Sequence, residues 1–184
     1  YSSVEHMGIL ALGIGIGGMG WYGAMLHAVN HSLAKAMLFF VAGNLIAAYQ
    51  SKAVEDVRGA AAMAPASGWL WLAGLFPIGG SPPFGLFLSE WIILKAVLDG
   101  GRYGLAALYL LLLGMIFVAM ASAMLPMVQG QPPARPGKTA QPESWLSILP
   151  PAALAILVLA LGVAIPHPVG NALAAAAKML EVIR

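Results

Sequence analysis

Residues 103–128 form a run of 26 without one charged side chain. A helix of about 20 apolar residues matches the roughly 30 Å hydrocarbon core of a bilayer. Inside lipid every backbone N–H and C=O needs a partner within its own segment, so such a run folds as a helix. Other predominantly apolar runs, two of them interrupted by charged residues, cover residues 7–22, 23–49, 67–98 and 145–165. The first is short unless residues 1–5 extend it by a turn, and the third is too long for one straight span. The whole chain is 60% hydrophobic and 9% charged, with a mean hydropathy of +0.86, whereas soluble domains carry about 25% charged residues. The expected fold is an all-α membrane protein of five transmembrane helices, one of them broken, with the bilayer as its solvent.

The segments between the runs are short and polar. Residues 51–65 hold Glu55 and Asp56 and predict a short surface helix ending at Pro65. Residues 129–144 read as a Pro- and Gly-rich loop in water. After the last span, residues 171–184 predict an amphipathic helix on the membrane or against a neighbour. Lys52, Arg58, Arg135 and Lys138 fall on one side of the membrane, and Lys95, Arg102, Lys178 and Arg184 on the other. Equal counts leave the positive-inside rule without an orientation. The sequence opens on Tyr1 and enters an apolar run almost at once, with no basic leader. It is expected to be the C-terminal piece of something longer.

Composition also excludes. With no cysteine, the chain makes no disulfide, thiolate zinc site or Cys-ligated iron–sulfur cluster. No cofactor is expected on it, and any redox chemistry belongs to another subunit. The nine basic residues are scattered and make no stripe for nucleic acid. "GIGIGGMG" at 13–20 satisfies the G-x-G-x-x-G spacing twice, but the dinucleotide fingerprint needs a preceding strand and a later acidic residue. Glycines in an apolar span are instead expected to let helices approach closely.

Two stretches break the oily pattern. "HAVNHSLAK" places His27, His31 and Lys35 four residues apart. On a helix these positions drift by only about 80° over roughly 12 Å, so they share one face as a ladder. A lone histidine there would bond a carbonyl, and a lone lysine would reach for headgroups. Three in register inside a span point to function. Imidazole accepts a proton on one nitrogen and releases it from the other, and lysines away from water exchange protons as surface lysines do not. Metal binding is the rival use of a His pair at i, i+4, but no third ligand is evident nearby in sequence and an ammonium adjoins the pair. No metal is expected.

The second stretch is "GGSPPFGLFLSEWIIL" at 79–94. Gly79, Gly80, Pro82 and Pro83 break the helix mid-span. Such breaks persist where they line a cavity, and broken helices mark ion sites in transporters. Glu90 follows within about two turns, flanked by apolar residues. Glu5 and His6 open the first span and belong either to a secondary polar path or to the headgroup region. Asn30, Ser32 and Asn44 are candidates to hold water or to bond across helices, with Asn44 the more structural. His167, between two prolines, is expected to be solvated.

These motifs together resemble the antiporter-like subunits of respiratory complex I, the Mrp antiporters and the group 4 membrane-bound hydrogenases. "HAVNHSLAKAMLFFVAGN" looks like the H-x-x-x-H-x-x-x-K helix of that family, "YSSVEHMG" like the stretch before it, and "GSPPFGLFLSEWIIL" like its broken twelfth helix. Within the family the motifs most resemble the F component of hydrogenase-4. The resemblance implies that the five spans are the last five of fourteen helices. Residues 1–128 would then complete the second repeat of the proton-translocating domain. It implies a relay of His27, His31 and Lys35, with Glu90 as terminal group at a half-channel. It further implies other membrane subunits and a peripheral redox arm as partners, protons or sodium as cargo, and the plasma membrane of a prokaryote. An Mrp-type cation/proton antiporter and a passive scaffold for a redox arm are the alternatives. No nucleophile–base set suggests an enzyme active site on this chain.

Overall fold

The computed structural model describes residues 2–132 and 143–182, which are helical apart from turns and connections. Helix α1 (Ser2–Ile16) is followed at once by the 31-residue α2 (Met19–Tyr49). A 3-10 turn (Val54–Asp56) and the single turn α3 (Ala60–Met63) lead into α4 (Pro65–Ile78). After the break come α5 (Gly85–Asp99), α6 (Tyr103–Gln129), α7 (Trp145–Val163) and α8 (His167–Val182).

Four features depart from the sequence expectation. The first two helices part at Gly17 and Gly18, whose φ values of 82° and 53° lie in the left-handed region that glycine tolerates. The expected boundary after residue 22 therefore moves, and residues 2–6 join α1 while Trp21 and Tyr22 join α2. Glycines 17 and 18 thus make a turn, not a packing surface. Gly13 and Gly20 do the packing: a Cβ on Gly13 would stand 2.9 Å from the Gly20 carbonyl oxygen. Third, residues 51–65 form only two short turns, and Pro65 starts α4. A proline has no N–H to leave unpaired in a first turn, which suits that place. Fourth, the tail helix begins at His167, which is exposed as expected. Arg135, Lys138 and Arg184, used in the charge count, lie outside the described residues, as does much of the 129–144 loop.

The α2 helix is the axis of the molecule. At about 46 Å it outreaches a bilayer core, and it packs against α1, α4, α5, α7 and α8. One cluster, around Ala34, Leu38, Leu75, Ile78, Leu86 and Val158, joins α2 to both halves of the broken helix and to α7. A second, around Ile9, Ile93, Val97 and Ala106, closes α1, α5 and α6 together. Glu143 reaches back to the start of α4, where its carboxylate accepts from the Ala66 and Ser67 N–H groups at 2.9 Å each. A carboxylate suits the positive end of a helix.

Outside the core, large apolar side chains face outward: Leu111 is 61% exposed, Val118 63% and Ile156 69%. Helices α2, α6 and α7 are each long and apolar enough to cross a membrane, and α1 is a shorter apolar helix.

Candidate functional site

Beneath that apolar exterior lies a polar cluster drawn from three helices. His6 on α1, His27 on α2 and Ser89 on α5 are fully buried, and Glu90 is 5% exposed. His6 Nδ1 lies 3.0 Å from His27 Nε2, and His27 Nδ1 lies 2.9 Å from Ser89 Oγ. The Ser89 hydroxyl donates its proton to the Leu86 carbonyl at 2.7 Å.

That last bond fixes the others. A hydroxyl has one proton. With it committed to Leu86, Ser89 Oγ can only accept, so His27 carries its proton on Nδ1. The His27 Nε2 lone pair then accepts from His6 Nδ1–H. His6 Nε2 is left as a bare acceptor, buried with no partner in the protein. The hydrogen-bonded row is therefore polarised: a proton can be added at His6 Nε2 and handed on through Nδ1 to His27.

The ladder of histidines is arranged differently from the spacing on α2 alone. The His27 and His31 rings are parallel but 6.3 Å apart between centroids. His6 completes a triangle with them, 5.1 Å from His27 and 4.2 Å from His31. Of the two options for His6, a polar path or the headgroup region, the buried ring beside both histidines fits the first. Lys35 is half-buried one turn beyond His31, its ammonium 5.9 Å from the Phe39 ring centroid. It lines a cavity of about 200 Å³ with Ser2 and Trp71, whose hydroxyl and indole N–H are buried without partners. Such orphaned polar atoms in a roomy pocket suit water.

Glu90 lies beside His6 and His27, at the helix break. The break between α4 and α5 opens a cavity of about 410 Å³ lined by Gly79, Gly80, Ser81, Pro82, Glu90 and Tyr109, among others. Gly80, at φ 64°, lies so close to the Glu90 carboxylate that a Cβ there would overlap it. Asn30 holds the break in place by donating from Nδ2 to the Gly85 carbonyl at 3.0 Å. Asn44 has the expected structural role, donating to Ser67 Oγ and the Ser147 carbonyl. The Ser32 hydroxyl turns back to Ala28 on its own helix. Tyr109 lines both the Glu90 cavity and a second, of about 320 Å³, that contains Glu5, and its hydroxyl is buried without a partner.

The His27–His31 pair has no third metal donor beside it among the described residues, but donor atoms of His6, His27 and Glu90 all lie within 4.8 Å of one another. They come from three helices, and spacing along α2 could not reveal them. Ser89 and Tyr109 were likewise missed. Ser89 is adjacent to Glu90, which is a faint signal, whereas Tyr109 sits in an apolar run like any packing residue.

Residues 1–117, which contain every member of this cluster, match the family model described as NADH:quinone oxidoreductase/Mrp antiporter, TM. The chain belongs to that family. Its apolar helices and this membership make it a multi-pass membrane protein. Among curated relatives, it is 37% identical over 97 residues to a hydrogenase-4 component F homolog of Methylacidiphilum infernorum, covering 52% of this chain and 20% of that one. It is 29% identical over 170 residues to NADH-quinone oxidoreductase subunit N of Desulforudis audaxviator, covering 90% and 34%. It is 32% identical over 108 residues to the putative antiporter subunit mnhD2 of Staphylococcus aureus, covering 58% and 22%. The chain therefore spans between a fifth and about a third of the length of these relatives.

Proposed function

We propose that this chain is part of a proton-translocating membrane subunit of a redox-driven complex, of the hydrogenase-4/formate hydrogenlyase or NADH:quinone oxidoreductase type. The observation that carries the reading is the buried, polarised row from His6 through His27, together with a lysine cavity and a carboxylate at a broken helix. Buried titratable groups within spans are costly and are kept for ion paths.

In this reading a proton leaves Lys35 and reaches His31 over water in the Lys35 cavity. His31 passes it to His6 Nε2, the open acceptor. His6 releases its Nδ1 proton to His27, which becomes protonated on both nitrogens. Glu90 then takes a proton from the pair, over a gap of at most 4.8 Å that one water can bridge. The broken-helix cavity delivers it to the far side. The drive is electrostatic, since a charge arriving beside Lys35 in a low dielectric expels its proton. Electron transfer takes place on partner subunits, in a peripheral redox arm, and none of its cofactors is assigned to this chain. The setting is the plasma membrane of a prokaryote, alongside other membrane subunits, with the five spans as the last five of fourteen.

A second reading is supported by the mnhD2 relative and by the carboxylate at a helix break, which also suits sodium. That reading makes the chain part of an Mrp-type cation/proton antiporter. Proton uptake by proteoliposomes containing the full complex separates the two. Redox-driven uptake that Glu90→Gln abolishes, with assembly intact, supports the first. Sodium-dependent flux with no electron donor supports the second, and uptake unchanged in Glu90→Gln removes Glu90 from either.

A further inference from the structure

We propose that His6, His27 and Glu90 form a binding site for a zinc-class divalent cation, which the broken-helix cavity admits. Two imidazoles and one carboxylate are a donor set that zinc takes with a fourth position open to water. Imidazole nitrogen selects such a metal over magnesium or calcium.

The geometry is close to what the ion needs. Tetrahedral zinc holds its ligand atoms about 3.3 Å apart, given Zn–N and Zn–O lengths of about 2.0–2.2 Å. His6 Nδ1 and His27 Nε2 stand 3.0 Å apart, and the whole donor set lies within 4.8 Å. Small side-chain shifts close the rest. The one proton on the His6 ring, now shared with His27, moves by way of cavity water from Nδ1 to the bare Nε2, which frees the His6 Nδ1 and His27 Nε2 lone pairs for the metal and leaves both rings neutral.

Three further features support the site. Ser89 accepts from His27 Nδ1–H and is itself anchored on Leu86. A metal-binding histidine needs its second nitrogen held in this way to aim the first. Access exists too, because Glu90 lines the cavity of about 410 Å³ at the helix break. Charge is partly met by Glu90, while Lys35 stands two turns along α2 from His27, at about 12 Å.

The site itself requires only these side chains, but its consequence rests on the proposed relay. A metal bridging His6, His27 and Glu90 occupies the lone pairs through which protons would pass, so it stops translocation.

The test uses the purified complex with its full-length subunit, stripped by chelator. Cobalt(II) serves as the probe, read by the d–d absorption of a tetrahedral site and displaced by zinc. The wild type shows that signal. His6→Gln loses it, and Ser89→Ala, which keeps every ligand, weakens zinc binding by about 10- to 100-fold. Lys95→Gln, on the exposed Lys95–Asp99 pair, leaves it unchanged. No tetrahedral signal in the wild type, or equal signals in wild type, His6→Gln and Ser89→Ala, overturns the site. Zinc is then added during proton uptake. A site present with uptake insensitive to zinc leaves the metal proposal standing and sinks the relay; no site, with uptake dependent on Glu90, does the reverse.

Discussion

Gly80 illustrates how one missing carbon can organise a site. Its φ of 64° already favours glycine, and the Glu90 carboxylate occupies the space a Cβ would need. An alanine here carries about 1–2 kcal/mol of left-handed strain and pushes Glu90 out of place. Gly80→Ala is therefore expected to cut proton uptake at least tenfold while changing thermal stability in detergent by only a few degrees. Uptake at the wild-type rate would mean that Glu90 need not sit where it does. At the same scale, the Ser89 hydroxyl sets the tautomer of His27 through a single committed proton. Glu90 and the His27–His31–Lys35 spacing stand out in the sequence because charge and imidazole are rare in oil. Ser89 and Tyr109 do not, because a serine or tyrosine in an apolar helix usually just packs or bonds its own backbone.

Among the elements, the α1–α2 hairpin matters most to the cluster. Gly17 and Gly18 turn the chain, and Gly13 and Gly20 let the two backbones touch, which brings His6 onto His27. Gly20→Val forces them apart, since even a Cβ there would approach the Gly13 carbonyl oxygen at 2.5 Å. Overpacking of this kind costs about 1–3 kcal/mol. The expected result is a loss of stability of that order by denaturant titration, together with slowed proton uptake. A stable Gly20→Val protein with full uptake would show that the His6–His27 contact is dispensable. The helix break between α4 and α5 is the other decisive element. Its glycines and prolines announce it in sequence, but the use of Asn30 to hold Gly85 does not follow from spacing.

For the molecule as a whole, the distribution of exposed apolar groups agrees with a lipid or subunit surround. A spin label at position 111, where Leu111 is 61% exposed, is expected to collide with lipid-soluble oxygen more often than with a water-soluble nickel chelate. The reverse ratio in the reconstituted full-length complex would place that face of α6 against water. Lys35 and Glu90 each line a cavity, and α2 carries two of the three histidine rings.

The sequence by itself determined that the chain is helical and lives in a membrane, because hydropathy and backbone pairing in lipid leave few alternatives. It also marked where a helix breaks and which titratable side chains stand inside apolar runs. Only the tertiary structure decided that His6 packs beside both His27 and His31, that Ser89 orients the row, and that Glu90 completes a three-donor set. The physical reason is that spacing fixes which residues share a face of one helix. How that face is rotated against its neighbours depends on the close contacts of glycines and on packing between segments far apart in the chain.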